Sequence, residues 1–303
     1  MVTSGENFPS TPERWHLRRS REREAPTMSR KDERYLLDAD GLLVEKVGPW
    51  AKDKLKIVTD YVHASGGARK GYLGTGAAYI DVFSGPGRSK IRTTGELIDG
   101  SPVAAFKKGK GSPGPFTSIY ISDADDELLA SCEKRLAKLD APVRAVKGPA
   151  SDAMPAIVRQ LKSSGLHFAF LDPHNLGTLS FDLFKSLAKL KRIDIIVHVS
   201  LSDLQRNADR YTSEAHDQFD KFAPGWREHI GTDMNQERLR AEILKYWSKR
   251  VMALGLPQAK HCQLIKGTQN QRLYWLIFLA RHNLAHNLWS KISSVGKAPE
   301  FDF

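Results

Sequence analysis

Apolar residues recur along the chain with two different periods, and their alternation predicts most of the architecture. Between residues 50 and 64, Leu55, Val58, Tyr61 and Val62 fall at three- and four-residue spacing, as on one face of a helix, and Gly66-Gly67 is expected to end it. Residues 77–83, AAYIDVF, form instead a nearly continuous apolar run closed by SGPG. That is the profile of a strand covered on both faces of a parallel sheet. The two signals then take turns. Strands are predicted at 116–122, 143–146, 167–171 and 194–199, and helices at 101–108, 126–139, 152–162 and 181–190. Ser101 is expected at the N-cap of its helix with Pro102 at the first turn position. Cys132 shares a helical face with Leu128, Leu129 and Leu136, which assigns it to the core. Such β-α alternation predicts a Rossmann-like, doubly wound parallel sheet.

The pattern changes after residue 200. Residues 202–255 are polar, aromatic and mostly helical, broken near Pro224-Gly225, and read as a helical insertion after the fifth strand. Residues 263–266 and 273–280 flank a turn and predict a hairpin at the sheet edge, followed by a helix from about Asn283. Residues 88–100 are read as a loop rich in Gly, Ser and Thr. Residues 1–34 mix basic and acidic side chains without apolar periodicity and are read as a flexible tail. The rest, 35–303, is expected to be one α/β domain.

Composition narrows the class only a little. With 41% hydrophobic and 27% charged residues the chain is globular in type. Its longest apolar run, 273–280, is far short of the roughly 20 residues a membrane span needs, and no apolar leader stands at the N-terminus. A cytoplasmic protein without membrane association is therefore expected. The two cysteines, Cys132 and Cys262, show neither CxxC nor metal-ligand spacing, so no metal and no disulfide framework is expected. A formal net charge of +11 makes a polyanion, DNA or RNA, the natural partner to consider.

Ligands of open parallel sheets bind beyond the carboxyl ends of the strands, and four such ends here carry polar or glycine residues. The first is Asp81 with the turn Ser84, Gly85, Pro86, Gly87, where absent side chains let a ligand approach the backbone. The long stretch before the next helix argues against a dinucleotide and for a smaller nucleoside-type ligand. The second is Asp123, placed to accept both hydroxyls of a ribose; Asp125 and Asp126 behind it are better explained as caps of the following helix. The third is Asp152, suited equally to an adenine amino group or to helix capping. The fourth is Asp172-Pro173-His174-Asn175. Asp172 and Pro173 can orient a reacting amino group, and His174 is a candidate base with an ordinary pKa near 6.5.

Taken together, YIDVFSGPGR at 79–88, GSP at 100–102, the strand ending in Asp123, and FAFLDP at 168–173 resemble class I S-adenosylmethionine-dependent methyltransferases. More narrowly, residues 36–62, RNADRY at 206–211, FDKFAPGW at 219–226 and residues 273–289 resemble the three-Cys-motif partner (TcmP) family, over roughly residues 36–295. The resemblance implies a seven-stranded sheet with its last strand antiparallel. It implies S-adenosylmethionine as cofactor, held by Asp81, Gly85, Gly87 and Asp123. It also implies a partner, a three-cysteine protein similar to radical-SAM enzymes, to which the three cysteines belong. Two exits depart from the pattern. GPASDAM replaces a direct Gly-Asp after the third strand, and His174-Asn175 follow Asp172-Pro173 where a second proline and a base-stacking aromatic are usual. Tyr211, Phe222, Trp226 or Trp247 of the insertion can supply such a ring, or can be the core of a helical cap. Three functions stay open: a methyltransferase acting on nucleic acid, a non-catalytic adaptor that keeps the fold, and a methyltransferase acting on a small molecule or on the partner protein.

Overall fold

The computed structural model describes residues 1–2, 33–213, 217–231 and 233–293; most of the expected tail, 1–34, lies outside them. Its main sheet has seven strands in the order β10-β11-β9-β8-β3-β6-β7. These are β3 (Ala78–Asp81), β6 (Ser118–Ile121), β7 (Val143–Ala145), β8 (His167–Leu171), β9 (Ile193–Ser200), β10 (Gln263–Lys266) and β11 (Arg272–Ala280). Neighbours from β7 through β9 pair in parallel, whereas β11 runs antiparallel to both β9 and β10. Six strands therefore share one direction and the last is reversed. The chain leaves β3 toward β6 and β7 on one side, then returns to place β8 on the other. The exit of β3 thus stands at the switch point of the sheet, where ligands of such folds bind.

Strand alternation divides the core into two layers. Along β3, Ala78, Ile80 and Val82 face one layer and Tyr79 the other; along β8, Ala169 and Leu171 oppose Phe168 and Phe170. The Tyr79 layer is covered by α1 (Ala51–Ala64), α3 (Ser101–Lys110), α4 (Asp126–Ala137) and α11 (Asn283–Ser293), through Val58, Phe106, Cys132 and Trp289. The opposite layer packs α5 (Ala150–Gln160) and α6 (Phe181–Leu187) against the insertion, which consists of α7 (Leu201–Thr212), α8 (Gln218–Phe222), α9 (Trp226–His229) and α10 (Gln236–Ala253). Phe222 and Trp247 stack at 5.1 Å, and Trp226 meets Phe219 edge-on. All four rings are fully buried, so Phe222, Trp226 and Trp247 build the cap and present no face to a base. The Tyr211 side chain lies outside the described residues.

Three local expectations fail, each for a visible reason. The helix α1 ends at Ala64 as expected, but Gly66-Gly67 then opens the short α2 (Gly66–Lys70) and not a loop. A Cβ at Gly66 would stand 2.7 Å from Ser112, and buried Arg69 donates to the carbonyls of Val62 and Gly114, tying the bend together. Ser101 does not cap its helix. Gly100 takes that place, where a Cβ would stand 2.7 Å from the Gly87 backbone, and Ser101 turns its hydroxyl elsewhere. Finally, residues 88–100 are not a loop. They supply β4 (Arg88–Ile91) and β5 (Leu97–Asp99) to a second sheet, ordered β1-β2-β4-β5, with β1 (Tyr35–Leu37) and β2 (Leu43–Val47) from the start of the domain. These strands are three to five residues long and amphipathic over too short a span to show a period.

Arg135 fastens the second sheet to the first. It is 4% exposed and donates to both carboxylate oxygens of Asp40 at 2.9–3.0 Å, to Leu43 O at 2.5 Å and to Pro86 O at 2.7 Å. Arg88 adds a bond to Asp38 at 2.8 Å. A forked, charged donor satisfied on several sides is among the strongest polar contacts a protein makes. Here it holds the β1–β2 hairpin over the turn at 84–87. Among the described residues no helix is long and apolar enough to cross a membrane.

Candidate functional site

The exits of β3, β6 and β8 meet two adjoining cavities. One, of about 450 Å³, is lined by Asp123, Ala124, Ser151, Gly177 and Ser180; the other, of about 220 Å³, by Gly85, Lys54, Asp172, Glu45 and His198. Phe83 and His174 belong to both walls. Of the expected cofactor residues, Ser84, Gly85 and Gly87 border the smaller cavity and Asp123 the larger.

Asp81 is fully buried and bonds only to its own surroundings. Tyr79 and Ser101 donate their hydroxyls to one carboxylate oxygen at 3.1 and 2.7 Å, and the Phe83 N–H reaches the other at 3.1 Å. Burial pushes this carboxyl up to about 7, against the three hydrogen bonds. Its observed work is to shape the turn that follows. In that turn Gly85 and Gly87 have φ of +53° and +75°. Gly87 serves packing, since a Cβ there would stand 3.0 Å from Cys132 Sγ; at Gly85 the nearest atom would be Glu45 Oε2 at 3.7 Å. The turn docks onto β6 through Gly85 N–H, which donates to Asp123 Oδ2 at 2.9 Å. Asp125 N–H takes the other oxygen at 3.0 Å, and Asp125 itself caps α4. A carboxylate has about four acceptor positions, so Asp123 keeps capacity toward the cavity it lines. Burial raises its pKa.

Asp152 is placed differently from expectation. The N-cap of α5 is Pro149, and Asp152 sits exposed in the first turn, accepting from Ser151 Oγ at 3.0 Å. Ser151, not Asp152, reaches the cavity wall.

The β8 exit carries the densest electrostatics. Asp172 is paired on one oxygen with the Lys54 ammonium and on the other with His198 Nδ1 at 2.7 Å. Burial would raise the Asp172 carboxyl, but Lys54 and His198 outweigh it and hold the group well below the ordinary carboxylate range. Pro173 follows in the same wall. His174 Nδ1 lies 2.7 Å from Arg34 Nη2, which also binds Glu45 at 2.5 Å. Arginine only donates, so His174 Nδ1 is the acceptor and its proton sits on Nε2. Burial and the Arg34 charge lower its pKa further.

Lys54, His198, Glu45 and Arg34 are absent from the sequence-derived site. Lys54 lies in a helix and reads as an ordinary solvent-facing position. His198 had a signal: it is a polar residue near the carboxyl end of an otherwise apolar strand, IDIIVHVS, the end where ligands of such sheets bind. Both cysteines are buried and unpaired.

No protein-family model matches the chain, and no curated protein matches it. Solved structures similar to it include TYW2 of M. jannaschii in complex with AdoMet (10% identity, 81% of this chain and 84% of that one, TM-score 0.39). Fibrillarin of Aeropyrum pernix with natively bound S-adenosyl-L-methionine is another (11%, 68% and 66%, TM-score 0.38), and the O-methyltransferase TomG of Streptomyces achromogenes in complex with SAM a third (12%, 74% and 79%, TM-score 0.41). At these scores the likeness is loose, and the fold rests on the strand order and directions described above.

Proposed function

We propose that the protein is an S-adenosylmethionine-dependent methyltransferase-like protein acting on nucleic acid. The observation that carries this reading is the junction at the switch point. A glycine turn hydrogen-bonded to Asp123 separates a cavity suited to a nucleoside from a smaller one walled by Asp172, Pro173 and His174. The donor set fits the cofactor: Asp123 keeps acceptor positions for ribose hydroxyls, and the neighbouring wall residues Ala124, Gly177 and Ser180 are small. When bound, S-adenosylmethionine supplies a methyl group already activated on a sulfonium. The chain's part is then placement of the acceptor and exclusion of water, the larger share of catalysis in an in-line transfer. The net charge of +11 supports a polyanionic acceptor. The three-cysteine partner rests on the sequence resemblance to the TcmP family. Titration calorimetry with S-adenosylmethionine is the first test, and no binding at about millimolar cofactor, a bare 4 kcal/mol of affinity, sinks the reading.

A second reading has an observation of its own. Asp81 is satisfied internally and Asp172 is already paired on both oxygens, as in a scaffold that kept the fold as an adaptor. Co-purification with a three-cysteine protein, with no methyl transfer to DNA, RNA or that protein, favours the adaptor. Mass spectrometry of nucleic acids from cells with and without the gene addresses the acceptor directly.

A further inference from the structure

At the far end of the sheet from the switch point, another cavity of about 450 Å³ opens where β9 begins, a size usual for small-molecule sites. Tyr61 near the end of α1, Tyr72 beyond α2, Ile193 on β9, and Leu284, Ala285 and Leu288 on α11 give it a mostly apolar lining. One carboxylate stands in that lining, Asp194, which is 8% exposed. Among the described residues its side chain has one hydrogen-bond partner, the Tyr61 hydroxyl, which donates to Oδ2 at 2.7 Å. Oδ1 is not sealed inside the protein: the fully buried, unpartnered side-chain atoms of the described residues belong to His198, Trp226, Trp247 and Tyr274. Its open side is the cavity. Burial pushes the Asp194 carboxyl up to about 6, against the Tyr61 hydrogen bond, so it is ionised at about pH 8. A carboxylate buried this deeply is costly unless donors meet it. The remaining charge in the lining has the opposite sign and comes from Lys191, Arg192 and Arg281. Arg281 is engaged with the carbonyls of Ala188, Leu190 and Gly255. Arg192 reaches Ser164 O at 3.1 Å and packs over the Tyr72 ring, 5.2 Å from its centroid, while Lys191 is exposed.

A ligand suited to this cavity carries hydrogen-bond donors at the end that meets Asp194, a body with apolar faces, and negative charge at the end that meets Lys191 and Arg192. A simple amine is repelled by those cations, and a simple acid has no donor for Asp194. A nucleotide has all three properties. An ionised carboxylate only accepts, and Tyr61 takes one of its acceptor positions. Guanine presents N1–H and an N2 amino group side by side on one edge, two donors for two oxygens. Adenine and cytosine place a ring acceptor next to their amino group, and uracil flanks its one N–H with carbonyl oxygens, so each sets an acceptor against the carboxylate. We infer that this cavity is a guanine-nucleotide site, in which Asp194 reads the base edge and Lys191 and Arg192 hold the phosphate. It lies apart from the switch-point cavities, and the inference does not rest on the methyl-transfer reading.

Titration calorimetry of the full chain with GMP, AMP, CMP and UMP at about pH 8, without S-adenosylmethionine, tests this. GMP should bind about 10- to 100-fold more tightly than the other three, the discrimination of a well-placed bidentate base contact. Asp194→Asn should abolish that preference, because an amide sets one donor beside one acceptor, the complement of adenine. Lys191→Glu, at an exposed position, should weaken GMP by about two- to tenfold and leave guanosine unchanged, since only the phosphate meets that charge. If Asp194→Asn does not fold, 13C-methyl spectra of the wild type locate the nucleotide. GMP should then shift Ile193, Leu284 and Leu288, and shifts confined to Leu55 or Val82, which line the switch-point cavities, overturn the assignment. Equal affinity for the four nucleotides, no binding at about millimolar GMP, or a guanine preference that survives Asp194→Asn overturns it as well. Because no cofactor is present, the result bears on this site alone and is separate from the test of the methyltransferase reading.

Discussion

Two aspartates stand at equivalent places, the carboxyl ends of adjacent parallel strands β3 and β8, and their environments are opposite. Asp81 is surrounded by neutral donors, two hydroxyls and one N–H, and burial carries its carboxyl up to about 7. Asp172 is gripped by an ammonium and an imidazole, which hold it ionised through the whole ordinary pH range. The first aspartate shapes a turn. The second fixes charge and a tautomer at a cavity wall. Position in the fold thus nominates a carboxylate for function, but the partners that arrive from elsewhere decide which work it does.

The comparison breaks most sharply at Lys54. Lys54→Met removes the cation and leaves Asp172 buried beside His198. Losing one member of a mostly buried pair typically costs about 3–5 kcal/mol, and urea unfolding at neutral pH should show a loss near the lower figure. His198 should also take up a proton, since it becomes the only cationic partner for Asp172. A loss below about 1 kcal/mol would mean that the pair behaves like a solvated surface contact.

The next effect lies on the side of the β3 turn. Asp123→Ala removes the acceptor of Gly85 N–H and the capacity facing the larger cavity. Affinity for S-adenosylmethionine should fall by about 1.5–3 kcal/mol, the range for hydrogen bonds to a charged group. Unchanged affinity in calorimetry removes Asp123 from the ribose assignment.

The sequence carried the sheet well and the site unevenly, for physical reasons. Strands β3, β8 and β9 are buried on both faces, so their apolar runs show through, and the hairpin of β10 and β11 is marked by its polar turn. Strands β1, β2, β4 and β5 are short and half-covered, and they are tied down by Arg135, 92 or more residues distant from the hairpin carbonyls and carboxylates it binds, which no local period encodes. At the site, glycine turns and strand-end acids are legible because they follow strands. Lys54 and His198 are not, since their roles come from meeting Asp172 at separations of 118 and 26 residues. Asp152 illustrates the converse case. Proximity in sequence to a strand end placed it in the site, whereas α5 begins two residues earlier and turns its side chain to solvent.

Within the β3 turn the two glycines should separate. Gly87→Ala meets Cys132 Sγ at 3.0 Å and its Cα at 3.1 Å, with a positive φ besides, and should cost about 1–3 kcal/mol by overpacking. Gly85→Ala meets nothing nearer than 3.7 Å, so only the φ of +53° opposes it, at about 1 kcal/mol. Denaturant midpoints of the two variants, read together, test whether Gly87 is there for packing; equal losses would say that backbone conformation alone selects both.

The smallest effect is the most specific to the comparison, and it is read as a slope. Asp81→Asn keeps one oxygen for Phe83 N–H, and its new amide can donate to the Tyr79 and Ser101 hydroxyls, which accept as well as donate. The exchange should cost no more than about 1 kcal/mol in acid. In the wild type the native carboxyl, near 7, holds its proton after the unfolded one, near 3.8, has lost it. The native state binds more protons across that window, so wild-type stability falls relative to the variant as pH rises from about 4 to about 7, and the difference levels off above it. Asp172→Asn should show the opposite sign. Its native carboxyl lies below the unfolded value, so the wild-type advantage is present at neutral pH and fades only as pH drops below about 4. Urea midpoints over a pH series give both slopes. If the Asp81→Asn curve runs parallel to the wild type between about pH 4 and 7, Asp81 ionises as an ordinary carboxylate and the contrast between the two strand ends disappears.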